Sequence, residues 1–225
     1  MKRPWIILLG LTASSVAASE AIVSAPTCLT LQQSLPTLRE FQSAAREGSA
    51  DAAWCVAEST EDVVERRAWM MVAAALGNTN AKWTLASQLA EAARQDRGLV
   101  TPSLALMRRA ATENPAYLLG YAEQYRMLTS DVDGALAILE KAARLGVKYA
   151  AAELAEALSD VPTGGERALT WLLVAVAESP VGTELRGRLL ARIATTRAIL
   201  DGDAIRRAEE ESARILADEA RRHDG

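Results

Sequence analysis

Two short motifs recur along this chain, and they keep the same rhythm. The first closes a helix-like segment: Ser43-Ala44-Ala45-Arg46-Glu47-Gly48, Val72-Ala73-Ala74-Ala75-Leu76-Gly77, Arg109-Ala110-Ala111-Thr112-Glu113-Asn114 and Lys141-Ala142-Ala143-Arg144-Leu145-Gly146, with a looser copy at Val174-Ala175-Val176-Ala177-Glu178-Ser179. Its leading alanines, at positions 44, 73, 110, 142 and 175, lie 29, 37, 32 and 33 residues apart. The second motif follows each copy as Val56-Ala57, Leu85-Ala86-x-x-Leu89, Tyr121-Ala122-x-x-Tyr125 and Leu154-Ala155-x-x-Leu158, with alanines 29, 36 and 33 residues apart. In an alanine-rich chain either motif alone is weak evidence. Two that stay in step define a structural period.

The residues between the motifs are helix formers. Alanine, leucine, glutamate and arginine dominate, β-branched runs are scarce, and Gly, Pro, Asn and Asp serve as punctuation. Each period holds two helices of about three turns, with a Gly or Asn ending the second. One such pair cannot bury its apolar face, so pairs must stack on one another. The expected fold is all-α, a right-handed α-α superhelix of about five helical hairpins over residues 36–201. Residues 202–225 form the expected capping helix, with Ile205, Ala208, Ile215 and Leu216 on one side and Glu209, Glu210 and Glu211 among Arg206, Arg207, Arg214 and Arg221.

These residues resemble the Sel1-like repeat, a relative of the tetratricopeptide repeat. Gly134-Ala135-Leu136-Ala137-Ile138-Leu139-Glu140-Lys141-Ala142-Ala143 and Arg167-Ala168-Leu169-Thr170-Trp171 match the first half of that family's pattern. Gly77-Asn78-Thr79-Asn80-Ala81-Lys82-Trp83-Thr84-Leu85-Ala86 matches its second half. The resemblance covers about residues 37–180; the chain departs from the pattern in its short periods and in lacking a Gly-x-Gly loop. It implies a helical solenoid that binds other macromolecules, and for exported members a role in exopolysaccharide control or assembly.

Residues 1–18 read as a secretory signal. Lys2 and Arg3 supply its positive region, Trp5 to Leu11 its apolar stretch, and Val16-Ala17-Ala18 its small-residue cleavage site. The apolar stretch is far shorter than the ~20 residues needed to span a bilayer. A periplasmic location follows, with no membrane insertion after cleavage and a short N-terminal segment over residues 19–35. The full chain carries a formal net charge of −4. Losing Lys2 and Arg3 makes the remainder more acidic, and its arginine doublets are dispersed, which argues against nucleic acid as a partner. Cys28 and Cys55 are the only cysteines. In an exported chain such a pair points to a disulfide worth roughly 3–4 kcal/mol.

No catalytic, cofactor-binding or metal-ligating residue is assigned. The single histidine is His223, and no Gly-x-Ser-x-Gly, Gly-rich phosphate loop, His-Glu-x-x-His or Cys-x-x-Cys occurs. The carboxylate pairs Glu61-Asp62 and Asp131-x-Asp133 fall at helix starts, where acids complement the dipole. Tyr117, Tyr121 and Tyr125 share one helix face, in register with Ala81, Leu85 and Leu89, and read as inter-repeat packing. Trp54 and Trp83 hold equivalent positions about 200° round their helices from Ala52 and Ala81. Off the core stripe, they are the candidate partner anchors, with packing at the edge of the next repeat as the competing role.

The resulting expectation is a non-catalytic exported adaptor that binds another protein of the cell envelope. An envelope regulator or assembly factor for exopolysaccharide is a second reading. A carboxylate-based polysaccharide-acting enzyme is the reading from another class; it needs two acids about 5–10 Å apart in a cleft. Mass spectrometry of the exported protein should find an amino terminus at Ser19 and Cys28 bonded to Cys55. Intact residues 1–18 or two free thiols would each remove one of these claims.

Overall fold

The computed structural model describes Cys28 and residues 38–223, apart from the side chain of His223. The expected signal (1–18), and all of 19–35 except Cys28, lie outside the described residues. Within them the chain is all-helical. Its α-helices are α1 (Leu38–Arg46), α2 (Ala50–Ser59), α3 (Val63–Ala75), α4 (Thr79–Ala92), α5 (Val100–Glu113), α6 (Leu118–Thr129), α7 (Val132–Arg144), α8 (Ala150–Ser159), α9 (Gly165–Glu178), α10 (Glu184–Ile199) and α11 (Gly202–His223). Short 3-10 turns, Arg97–Leu99 and Pro115–Tyr117, precede α5 and α6.

Local chemistry sets these boundaries. Ser49 accepts the Ala52 N–H at 3.2 Å, Asp62 that of Glu65 at 2.8 Å and Asp131 that of Gly134 at 2.9 Å, so each starts a helix as an N-cap. Gly77 and Gly146 follow α3 and α7 with φ of +112° and +69°, the left-handed conformation that ends a helix without a Cβ penalty. Asn114 behaves differently from the expected left-handed stop. It is extended (φ −132°), and its side chain accepts the Ala116 N–H to start the Pro115–Tyr117 turn.

The two motifs alternate from helix to helix. The alanine pairs lie in α1, α3, α5 and α7, with the looser copy in α9; the second motif lies in α2, α4, α6 and α8. Ala73, Ala110, Ala142 and Ala175 are at most 3% exposed, as are Ala57, Ala86, Ala122 and Ala155. The longest interval, 73 to 110, holds the extra turn after α4.

The chain divides into two compact units, one ending at Ala81 and one beginning at Lys82. In the first, α2 packs against both α1 and α3. Six consecutive residues of α2, Ala52 to Cys55 and on through Val56 and Ala57, are buried. Cys28 is disulfide-bonded to Cys55, with Cα atoms 5.5 Å apart. Buried Asn78 donates to Asp51 at 2.9 Å and accepts the Ala81 N–H at 2.8 Å.

In the second unit consecutive helices from α5 to α10 pack as neighbours, and α9 also packs against α11. Its core includes the fully buried Met107, Leu154, Leu158, Leu169 and Leu172. Ala208 and Ile215 of α11 are buried in it, with Ile205 and Leu216 half-buried against it. Among the described residues no helix is long and apolar enough to cross a membrane.

Gly120 in α6 shows how close this packing is. A Cβ there would lie 2.8 Å from Trp83 Cζ2, whereas Gly187 in α10 has nothing within 4 Å. Alanine at an exposed helix position gains about 1 kcal/mol over glycine, but overpacking a filled site costs ~1–3 kcal/mol. Gly187→Ala should therefore raise the melting temperature and Gly120→Ala lower it. A rise in both variants would show that the indole has room to move aside.

Candidate functional site

Trp54 does not sit on an open surface. It is 2% exposed, within the buried run of α2, so the expected anchor at this position is corrected to a core residue. The 200° offset fails because the central stretch of α2, Ala52 to Ala57, is buried on every side. Trp83 is half-buried in α4. Its indole stacks on the Tyr117 ring with centroids 4.7 Å apart and an interplanar angle of 9°. The two tryptophans are not brought together into one binding feature.

The tyrosines form the rest of this aromatic cluster. Tyr117 belongs to the 3-10 turn, one residue before α6, and Tyr121 and Tyr125 follow on α6 itself. Tyr117 and Tyr121 are buried, and burial pushes both phenols up. Tyr121 meets Tyr125 edge-on at 6.0 Å. Half-buried Tyr125 donates its hydroxyl to Asp131 at 2.9 Å. That bond raises the Tyr125 pKa, while the Gly134 N–H followed by the Tyr125 hydroxyl holds Asp131 below the usual carboxylate range. Asp131 thus fixes the end of α6 to the start of α7. As expected of the helix-start acids, Asp62 and Asp131 are caps.

Charged side chains outside the caps tie neighbouring helices together. Glu140 of α7 pairs with Arg144 on its own helix and with Arg167 of α9, each at 2.9 Å. Glu166 of α9 receives Arg207 of α11 through both carboxylate oxygens, at 2.7 Å for the shortest contact. The Arg207 bond lowers the Glu166 pKa and raises that of the guanidinium. Lys82 of α4 meets Glu113 of α5 at 2.6 Å. No group of three or more His, Cys, Asp or Glu side chains placed to hold a metal occurs among the described residues.

One position on the alanine-bearing helices varies from copy to copy. Immediately before the first alanine stand Ser43, Val72, Arg109 and Lys141, all exposed. The same position in α9 is Val174, fully buried. Within the second unit, Arg109 and Lys141, exposed and in register, are the candidate binding surface. The signal was present in the alignment of the motifs but carries meaning only once exposure is known. No family model matches the chain, and no curated protein matches it.

One acidic contact is unfavourable. Glu178, at the end of α9, has its carboxyl pushed up to about 7, first by desolvation and then by the neighbouring charge of Glu219 on α11. A carboxyl with a raised folded-state pKa stabilises the fold fully below its ordinary value and loses that contribution as pH rises through about 7. Glu153 on α8 is raised too, by burial, Glu156 and Glu123. Glu178→Gln should leave the melting temperature at pH 4 unchanged and raise it at pH 8. An equal fall between these pH values in both proteins would show that the Glu178–Glu219 contact does not govern it.

Proposed function

We propose that this protein is an exported, non-catalytic scaffold of Sel1-like character. Its helical pairs stack into a right-handed superhelix ended by α11, and it binds another protein of the cell envelope. What carries the reading is a constant interior beneath a varied surface. Alanine is buried at the same place in α3, α5 and α7. The exposed residue before it changes from Val72 to Arg109 to Lys141. A chain that repeats its interior while varying its exterior has the properties of a binding framework, because affinity and specificity reside in the side chains that differ.

The use made of the other reactive groups supports this assignment. The aromatic residues stack on one another, Asp62 and Asp131 cap helices, and Glu140 and Glu166 take arginines from the next helix but one. A carboxylate needed as a general acid or base is poorly served by a bidentate arginine, which holds it ionised. The disulfide belongs with an oxidising compartment.

A photo-crosslinking residue placed at position 109 or 141 in living cells should give a discrete envelope-protein adduct. Arg109→Glu with Lys141→Glu should abolish that adduct while leaving the melting temperature within a degree or two, since surface changes of this kind are within about 0.5 kcal/mol. Absence of any adduct from either position would count against these faces as the binding surface.

A further inference from the structure

Helix α3 with its C-cap exposes more large apolar side chains than its counterparts, α7 with its C-cap keeping only Val132 and Leu145 and α5 none. Val63 (72%), Val64 (79%), Met71 (57%), Val72 (38%) and Leu76 (41%) are all exposed. They are five of the thirteen large apolar side chains standing open among the described residues, on one helix and its C-cap. With the alanines aligned, Val64, Met71, Val72 and Ala75 correspond to Thr101, Arg108, Arg109 and Thr112 in α5. In α7 they correspond to Asp133, Glu140, Lys141 and Arg144. What the other helices give to water or to ion pairs, α3 leaves apolar. Concentrated exposure of this kind marks an interaction surface, unlike scattered single residues.

We propose that this stripe is an isologous contact in which α3 packs antiparallel against α3 of a second copy of the chain. At 100° per residue, Val64, Ala68, Met71 and Ala75 fall within about 60° of arc, a seam the width of one helix contact. Their sizes alternate as large, small, large, small. Under a two-fold axis, Val64 of one copy meets Ala75 of the other and Ala68 meets Met71, so each large side chain enters the space above a small one.

The charges select the same orientation. The N-cap Asp62 and, in the first half of α3, Glu65, Arg66 and Arg67 are charged, whereas Ala68 to Leu76 carries no charge. Antiparallel pairing sets the charged half of each helix over the uncharged half of the other, with the heads at the rim. A parallel pair would oppose Asp62 and Glu65 to themselves.

The stripe runs about 20 Å along a single helix, which covers less than the ~800 Å² per partner of a standard stable interface. The contact is accordingly weak and reversible. It involves none of the α5 and α7 residues assigned above to an envelope partner.

Sedimentation of the mature protein between roughly 5 and 500 µM should show the weight-average mass rising from one chain toward two, as mass action requires. Met71→Glu should hold it at one chain throughout, with the melting temperature of the unsubstituted protein at the lowest concentration, where both are single chains, and a lower one at the highest. A short bis-maleimide should link a mixture of Ala68→Cys and Met71→Cys chains more efficiently than either variant alone. A single-chain mass at every concentration, or a mass increase that Met71→Glu leaves intact, would overturn the proposal. Preferential linkage of Ala68→Cys to itself would overturn the antiparallel register. None of these outcomes bears on adduct formation at positions 109 and 141, so the scaffold reading is tested separately.

Discussion

Helices of this chain can lie against one another only where a side chain is small enough to let two backbones approach. That constraint is met by alanine at recurring positions: Ala73, Ala110 and Ala142 on one set of helices, Ala57, Ala86, Ala122 and Ala155 on the other. Little apolar area is buried by each, so no single alanine contributes much by transfer from water. Their effect is geometric. In the second unit they bring larger residues such as Met107, Leu154 and Leu169 into a common interior, and that burial is the larger stabilising term. Any enlargement at these sites is felt through the whole helix pair, because a close-packed interior has no slack to absorb it.

Electrostatics plays a different part. The cross-helix pairs Glu140–Arg167 and Glu166–Arg207 sit at partly solvated positions, where an ion pair is worth little. They nevertheless discriminate between registers, since a slip of one helix turn separates each carboxylate from its guanidinium. Asp131 does similar work over a shorter range, holding Tyr125 while capping α7. Packing supplies the stability of the second unit, and charge selects among the ways it could pack.

The helix count and the alternation of motifs were legible because buried alanine at a fixed place is itself the structural constraint. The cysteine pairing was legible from number, since Cys28 and Cys55 are the only two cysteines and have only each other to bond within the chain. Trp54 was misplaced for a definite reason: a helical-wheel argument assumes one buried stripe, and α2 has none, its residues from Ala52 to Ala57 being buried in succession. Tyr117 was assigned to the same helix as Tyr121, but Pro115 and the Asn114 side chain start a tighter turn there first. The single repeat array read over 36–201 shows a division at Ala81 that falls inside α4, where continuous helix conceals it from sequence. The apolar face of α3 escaped because the motif alignment stopped at the alanines and did not run back two turns to Val64.

The unit ending at Ala81 makes the disulfide and the α3 face parts of one problem. Three helices and the first turn of α4 offer a small interior, built largely from alanine with Phe41, Trp54, Val56 and Met70 as its larger members. The smaller a unit is, the lower the fraction of its surface that folding buries. The Cys28–Cys55 link offsets this from the unfolded side, by narrowing the ensemble that the chain must give up. Leaving Val64 and Met71 in water then removes apolar burial from the unit least able to spare it. A contact covering that face stabilises the folded form by mass action and adds to what the disulfide supplies. The same residues that weaken the isolated unit thereby couple its stability to occupancy of the face.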